Sequence, residues 1–199
     1  MKKMLAIAAC AIIGLSAAAQ EKHPLYLPVD FGASFSTMDG IGAAFYMRAS
    51  LEYRVNYLKG LFFLAELDTR THPYTNAAIS TANVTAGDAA VTDILIGPGW
   101  RFMLSDSFKI AVSLQGGASN LAYKEVAASG APGKYELKGH DFWAPVGKLG
   151  FMFEYYINPV LDLFVAAGVP VTAVPLETAS VNPLVLFPTV SAGFNMALF

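Results

Sequence analysis

The stretch AAFYMRASLEYRVNYLKGLFFLAELDTR, residues 43–70, alternates in two halves joined by a turn. In the first half Ala43, Phe45, Met47, Ala49, Leu51, Tyr53 and Val55 hold one phase, while Tyr46, Arg48, Ser50, Glu52, Arg54 and Asn56 hold the other. Period two marks a strand, because successive side chains point to opposite faces. Leu58-Lys59-Gly60 reads as a three-residue loop with Gly where a left-handed backbone is wanted. Beyond it Leu61, Phe63, Ala65 and Leu67 resume one face, and Glu66, Asp68 and Arg70 the other. A helix would scatter these charges around its axis. An antiparallel hairpin gathers them on one surface and leaves an apolar band on the opposite one.

The same alternation runs outward from this hairpin. It predicts a first strand over Leu27 to Thr37, a fourth over Val91 to Leu104 and a fifth over Phe108 to Tyr123. A sixth follows over Phe142 to Ile157, a seventh over Leu161 to Val174 and an eighth from Leu184 to Leu198. Ser105-Asp106-Ser107 and Asn158-Pro159 are tight turns, whereas Thr71 to Ala90, Lys124 to Asp141 and Pro175 to Pro183 lack periodicity and read as long loops. Short connections therefore collect at one end and long ones at the other. Pro98, Pro145, Pro170 and Pro188 fall inside strands, where each removes a ladder donor, and predict bulges or frayed ends.

Charged residues make up 14% and apolar residues 55% of the chain, against roughly 25% and 45–50% in ordinary soluble domains. Yet no apolar run suits a spanning helix of ~20 residues; Leu184 to Phe199 is uncharged but alternates and holds Pro188, Gly193 and Asn195. A net charge of −2 without a basic patch argues against a nucleic-acid partner. Lys2 and Lys3, the apolar run Met4 to Leu15, and Ala17-Ala18-Ala19 read as a secretory signal peptide over residues 1–19, cleaved after Ala19 or Gln20. The mature domain is then 20–199. Cleavage removes Cys10, the single cysteine, and with it any disulfide, thiol chemistry or Cys-based metal site.

Residue size decides which face lies inside. The polar phase is crowded with small residues (Gly32, Ser34, Ser36; Ser113, Gly117, Ser119; Ser191, Gly193), while the other phase carries Phe, Leu, Tyr and Trp. The interior of a closed eight-stranded barrel has room only for packed side chains. Small polar residues belong there, and the bulky apolar face must meet lipid. The predicted fold is all-β, an eight-stranded antiparallel up-and-down transmembrane β-barrel. Tyr53, Trp100, Phe102, Phe108 and Tyr155 fall near the short-turn end, as an interfacial girdle would.

The inward phase carries Asp30, Arg48, Glu52, Arg54, Glu66, Asp68, Arg70, Asp93, Arg101, Lys109, Lys148, Glu154 and Asp162. Buried charges must be paired, so these are expected to form a neutralised plug rather than a conduit. Distance from the short turns predicts two layers: Asp30, Arg54, Arg101, Lys109, Glu154 and Asp162 nearer, and Arg48, Glu52, Glu66, Asp68 and Lys148 beyond. The chain shows no catalytic constellation, cofactor motif or clustered metal ligands. His23 lies in the N-terminal segment, and His72 and His140 flank long loops, where they read as solvated.

The leader, the eight alternating segments, the short and long connections and the terminal stretch FPTVSAGFNMALF (187–199) together resemble the small OmpA/OmpX-like outer-membrane barrels. That resemblance implies the outer membrane of a Gram-negative bacterium, with long loops extracellular and the wall against outer-membrane lipids and lipopolysaccharide. It also implies a monomer, delivered by the barrel-assembly machinery through the strand ending at Phe199. Phe199 nevertheless falls in the phase opposite to Phe194, Met196 and Leu198. Since nothing follows the barrel, no peptidoglycan-binding domain is expected. The implied role is a non-enzymatic surface-loop scaffold or envelope-integrity component. Alternatives are a narrow OmpW-like channel for small apolar compounds and a lipid A-modifying enzyme. Lipid A deacylases carry His and Ser two apart, and neither His72-Pro73-Tyr74 nor His140-Asp141-Phe142 reproduces that spacing.

Overall fold

Among the described residues nine strand segments follow one another: β1 (Leu25–Ser34), β2 (Ala44–Arg54), β3 (Leu61–Pro73), β4 (Asp88–Met103), β5 (Phe108–Ala128), β6 (Tyr135–Asn158), β7 (Leu161–Ala173), β8 (Leu184–Leu186) and β9 (Thr189–Ala197). The computed structural model describes residues 25–37, 41–55, 58, 60–73, 88–128, 135–158, 160–173 and 184–198, and of 123–128, 135–138 and 140 the backbone alone. The leader, Lys59 and Phe199 lie outside the described residues.

From β1 to β8 each strand pairs antiparallel with the next, and β9 pairs with both β7 and β1. The sheet closes on itself. β8 and β9 form one wall strand interrupted at Phe187-Pro188, since both pair with β7. Across the interruption Phe187 N–H still donates to Pro170 O and Phe35 N–H to Pro188 O, so the wall stays sealed. The barrel thus has eight walls, as the alternation predicts.

The turn residues serve as read, although the β2–β3 connection is longer than the three residues expected, since β2 ends at Arg54 and Val55 N–H donates to Leu61 O. Gly60 has φ of +105°, a conformation that other L residues rarely adopt. Ser105 Oγ accepts from the N–H groups of Ser107 and Phe108, and Asn158 Oδ1 from those of Val160 and Leu161, so side chains cap these two tight turns. Two loop expectations need correction. β3 and β4 extend to Pro73 and Asp88, into the stretch read as loop. Most of 124–141 is also strand, with β5 and β6 paired without interruption from Phe108↔Tyr155 to Ala128↔Tyr135. β4 leaves β5 at Ala122 and β7 leaves β6 at Val146. β5 therefore runs past its pairing with β4 by six residues, roughly 20 Å, and β6 past its pairing with β7 by eleven.

The prolines do less than expected. Register shifts near Tyr156 and Asn158, and not at Pro98, Pro145 or Pro170. The β4–β5 ladder skips Gly97 and Pro98 and resumes in the same register. Pro145 pairs with Ala118 of β5, while its other edge lies beyond the end of the β7 pairing, where no donor is needed. Only Pro188 breaks a strand.

The faces follow the predicted phases. Phe31, Phe63, Leu67, Ile96, Leu114, Phe151, Val165 and Val190 are exposed on the outside, whereas Asp30, Arg48, Glu52, Glu66, Asp68, Lys148 and Glu154 are buried in the lumen. A continuous apolar exterior on a closed barrel suits hydrocarbon, where no backbone group is left unpaired. Trp100, Phe102, Phe108 and Tyr155 are exposed near the short turns, Phe108 and Tyr155 with ring centroids 5.1 Å apart. Phe35, Phe45 and Trp143 are exposed toward the opposite end, giving the band a second aromatic border.

Candidate functional site

The lumen is where this fold can act, and its contents are layered. Nearest the short turns, Arg101 Nη2 is 2.9 Å from Glu52 and 2.6 Å from Glu154. Arg54 Nε is 2.5 Å from Glu52, and its Nη2 lies 3.5 Å from Asp162. Lys109 Nζ completes the layer 3.3 Å from Asp162. Rings flank the cations: Tyr26 lies 3.4 Å from the Arg54 guanidinium carbon, and Phe62 lies 4.8 Å from that of Arg101.

Above it comes an apolar layer of Phe62, Leu64, Ala111, Met152, Phe164 and Ala166. Small residues on facing strands make room for these rings. A Cβ on Gly99 would stand 2.1 Å from the Phe62 ring, so glycine there is what lets Phe62 lie across the lumen.

A second charged layer rests on the apolar one, with the Arg48 guanidinium 5.8 Å from the Phe164 ring centroid. Arg48 bonds Asp30 at 2.7 Å and Glu66 at 3.3 Å. Glu66 also receives Lys148 Nζ and Gln115 Nε2. Lys148 reaches Asp68 at 3.4 Å, and Arg70 joins Asp68 to Asp93 at 2.6 Å each. Ser191 Oγ donates to Asp30. The aliphatic stem of Lys148 fills the space a side chain at Gly168 would take, a Cβ there falling 2.8 Å from its Cε.

All eleven residues of the predicted charge network, with Arg70 and Asp93, enter these two layers. The assignment to layers is corrected at two places. Asp30 belongs with Arg48, and Glu52 belongs with Arg54 and Arg101. The reason is register: β1 pairs Asp30 with Arg48 of β2, which in turn faces Asp68 of β3, two steps above Glu52. The interior is also less uniformly small and polar than its Gly and Ser content suggests. Tyr46, Phe62, Leu95, Val91 and Phe187 are fully buried in it.

His72 is a further correction. It lies at the end of β3, fully buried, and the Phe187 ring packs against it at a tilt of 45° with centroids 5.5 Å apart. Nδ1 sits 2.7 Å from Gly42 O, and since a carbonyl only accepts, Nδ1 carries the proton. Nε2 then accepts from Ser34 Oγ at 3.4 Å. The arrangement ties the segment after β1 to β3. Although a hydroxyl faces an imidazole, neither residue is exposed to a substrate. His140 falls within β6, where the backbone alone is described, and His23 lies outside the described residues. Among the described residues, no group of three or more His, Cys, Asp or Glu could hold a metal.

Neisserial surface protein A, a solved structure, superposes on this chain with a TM-score of 0.56 at 18% identity, covering 86% of this chain and 96% of its own. The fold is that of the small eight-stranded outer-membrane β-barrels. Other similar structures are Ail of Yersinia pestis (TM-score 0.48, 11% identity, 87% and 97% covered) and OprG of Pseudomonas aeruginosa (0.48, 12%, 88% and 96%). No protein-family model and no curated protein matches the sequence. In this outer-membrane-type barrel the layered lumen, rather than the sequence, is the feature that bears on function.

Proposed function

We propose that this chain is a non-enzymatic outer-membrane β-barrel with a plugged interior, serving as a scaffold for surface loops or as an envelope-integrity component. The observation that carries this reading is the stacking of an apolar layer between two ion-paired layers. The cavity bounded by Arg48, Phe62, Leu64 and Met152 has a volume of only about 10 Å³, at the lower limit for a single water. In this reading nothing of substrate size passes the lumen. What remains for the protein to present is its lipid-facing wall and its ends.

The short turns face the periplasm in this proposal, and the long-loop end, with the β5–β6 hairpin, faces outward. Outer-membrane lipids and lipopolysaccharide surround the wall, and the barrel-assembly machinery reads the terminal strand ending at Phe199. Residues 1–19 are removed on export, and the barrel works as a monomer.

The test is electrical and topological. Purified, refolded barrel in planar bilayers should show no steady single-channel current; a reproducible unit conductance would favour the narrow-channel alternative. An epitope inserted between residues 129 and 134 should bind antibody on intact cells. Binding only after the outer membrane is permeabilised would invert the orientation. Unchanged lipid A mass on overexpression supports the non-enzymatic reading, and a new lipid A species would replace it.

A further inference from the structure

At the short-turn end the barrel opens into a cavity of about 580 Å³, lined by Arg54, Arg101 and Lys109 together with Leu61, Phe102 and Met103. All three cations of the lower layer border this space. None of their acidic partners does: Glu52 and Glu154 are fully buried and Asp162 is 3% exposed. The layer carries three charges of each sign, so its net charge is zero, but its positive ends are turned to the mouth and its negative ends inward. A visiting group meets cations first.

One of those cations also retains donor capacity. Lys109 spends one long contact, 3.3 Å, on Asp162, although an ammonium has three donors. Arg54 Nη2 is enclosed 3.5 Å from Asp162 and has no hydrogen-bond acceptor among the described residues, so Arg54 contributes charge to the mouth rather than an open donor. Phe102 and Met103 at the edge of the cavity are exposed, Phe102 in the outward phase and Met103 in the inward phase opposite Lys109 of β5. The space therefore joins a cationic floor to the apolar surface of the wall.

We propose that this mouth is a binding site for a phosphate-bearing group, either the head of a glycerophospholipid from the adjoining leaflet or a free phosphate. Lys109 supplies unused charge-assisted donors, and Arg54 and Arg101 add a positive field from positions beside their carboxylates. The exposed rim residues suit the glycerol and first methylenes of a lipid. Those apolar contacts give no advantage to inorganic phosphate.

Trp100 reports on the site, because its indole nitrogen lies 2.9 Å from where a Cβ on Gly60 would be. Trp143, at the opposite end, is the other tryptophan. The experiment uses the refolded full barrel carrying Trp143→Phe, in uncharged maltoside micelles. Trp100 fluorescence is followed during titration with inorganic phosphate and, separately, with dihexanoyl phosphatidylglycerol. Saturable change with both at similar affinity identifies free phosphate as a sufficient ligand. Much tighter binding of the lipid identifies the leaflet as its source. No saturable change with either overturns the proposal.

Lys109→Gln should weaken binding roughly tenfold, as loss of one charge-assisted bond does. Because Lys109 is also part of the plug, a second comparison uses the exposed rim. Phe102→Glu places a negative charge at the cavity from the outward phase, away from the ion pairs, and should weaken binding by a similar factor, while Phe102→Gln should not. Equal affinity of the Glu and Gln variants would show that the cations do not hold the ligand.

Discussion

Arg101 of β4 and Glu52 of β2 meet across the lumen at 2.9 Å, though β3 stands between their strands in the wall and 49 residues separate them in the chain. The same guanidinium takes Glu154 of β6 through both carboxylate oxygens. One side chain thus ties three non-adjacent walls together. Removing it leaves two buried carboxylates, of which Glu52 keeps Arg54. Arg101→Met should cost about 3–5 kcal/mol, as orphaning a buried charge does. Adding Glu154→Leu should restore part of the loss, because the second substitution removes an orphan rather than a contact. Urea unfolding in lipid vesicles measures both, and strictly additive losses would mean that these charges are solvated separately.

The fit of Phe62 over Gly99 predicts steric coupling within the apolar layer. Gly99→Ala puts a methyl group inside the Phe62 ring and should cost about 1–3 kcal/mol through overpacking. Phe62→Leu relieves the clash, so the double variant should be more stable than Gly99→Ala alone. If Phe62→Leu instead worsens the Gly99→Ala variant by its full separate cost, the ring does not depend on glycine.

Depth in the membrane sets the cost of charge on the outer face. Leu67 lies midway along β3 and is 53% exposed, whereas Phe102 borders the short turns. Leu67→Arg should cost about 2–4 kcal/mol and Phe102→Arg about 0–1. Equal penalties, read from refolding yield and urea midpoints, would argue that the apolar band does not span a bilayer core.

Much of this was legible in residues. Alternation assigned Leu67 outward and Asp68 inward, and Gly60, Ser105 and Asn158 marked the turns that the structure contains. Phase, however, gives the face and not the height. Asp30 and Glu52 exchanged layers because height depends on cross-strand register, which no local pattern records. Phe62, Phe164 and Phe187 escaped notice for a related reason. Each falls in the inward phase, but the signal sought there was small size, and large rings are admitted only where Gly99 or its like faces them. The β5–β6 hairpin was hidden by composition: residues 124–141 hold Gly, Ala and Lys, which signal loop chemistry even where the backbone stays paired. His72 shows the same limit, since proximity to a polar stretch suggested solvent while strand phase pointed inward.

The layering itself predicts which part of the plug stops ions. Paired charges can separate and rehydrate, so the charged layers are poor seals once water reaches them. An apolar constriction excludes water at any ionic state. The seal should therefore be the layer holding Phe164 and Met152, which lies between Arg48 and Arg101. Lys148→Met removes a cation shared by Glu66 and Asp68 and should destabilise the barrel by about 3–5 kcal/mol, yet leave it electrically silent. Phe164→Ala combined with Met152→Ala leaves every charge in place but empties the middle of the lumen. Each truncation costs about 2–5 kcal/mol, so the pair must be measured in lipid, where the closed wall sustains the fold. Planar-bilayer recordings of that variant should show a current absent from the unsubstituted protein. Current through Lys148→Met, with silence in the double truncation, would assign the seal to the ion pairs.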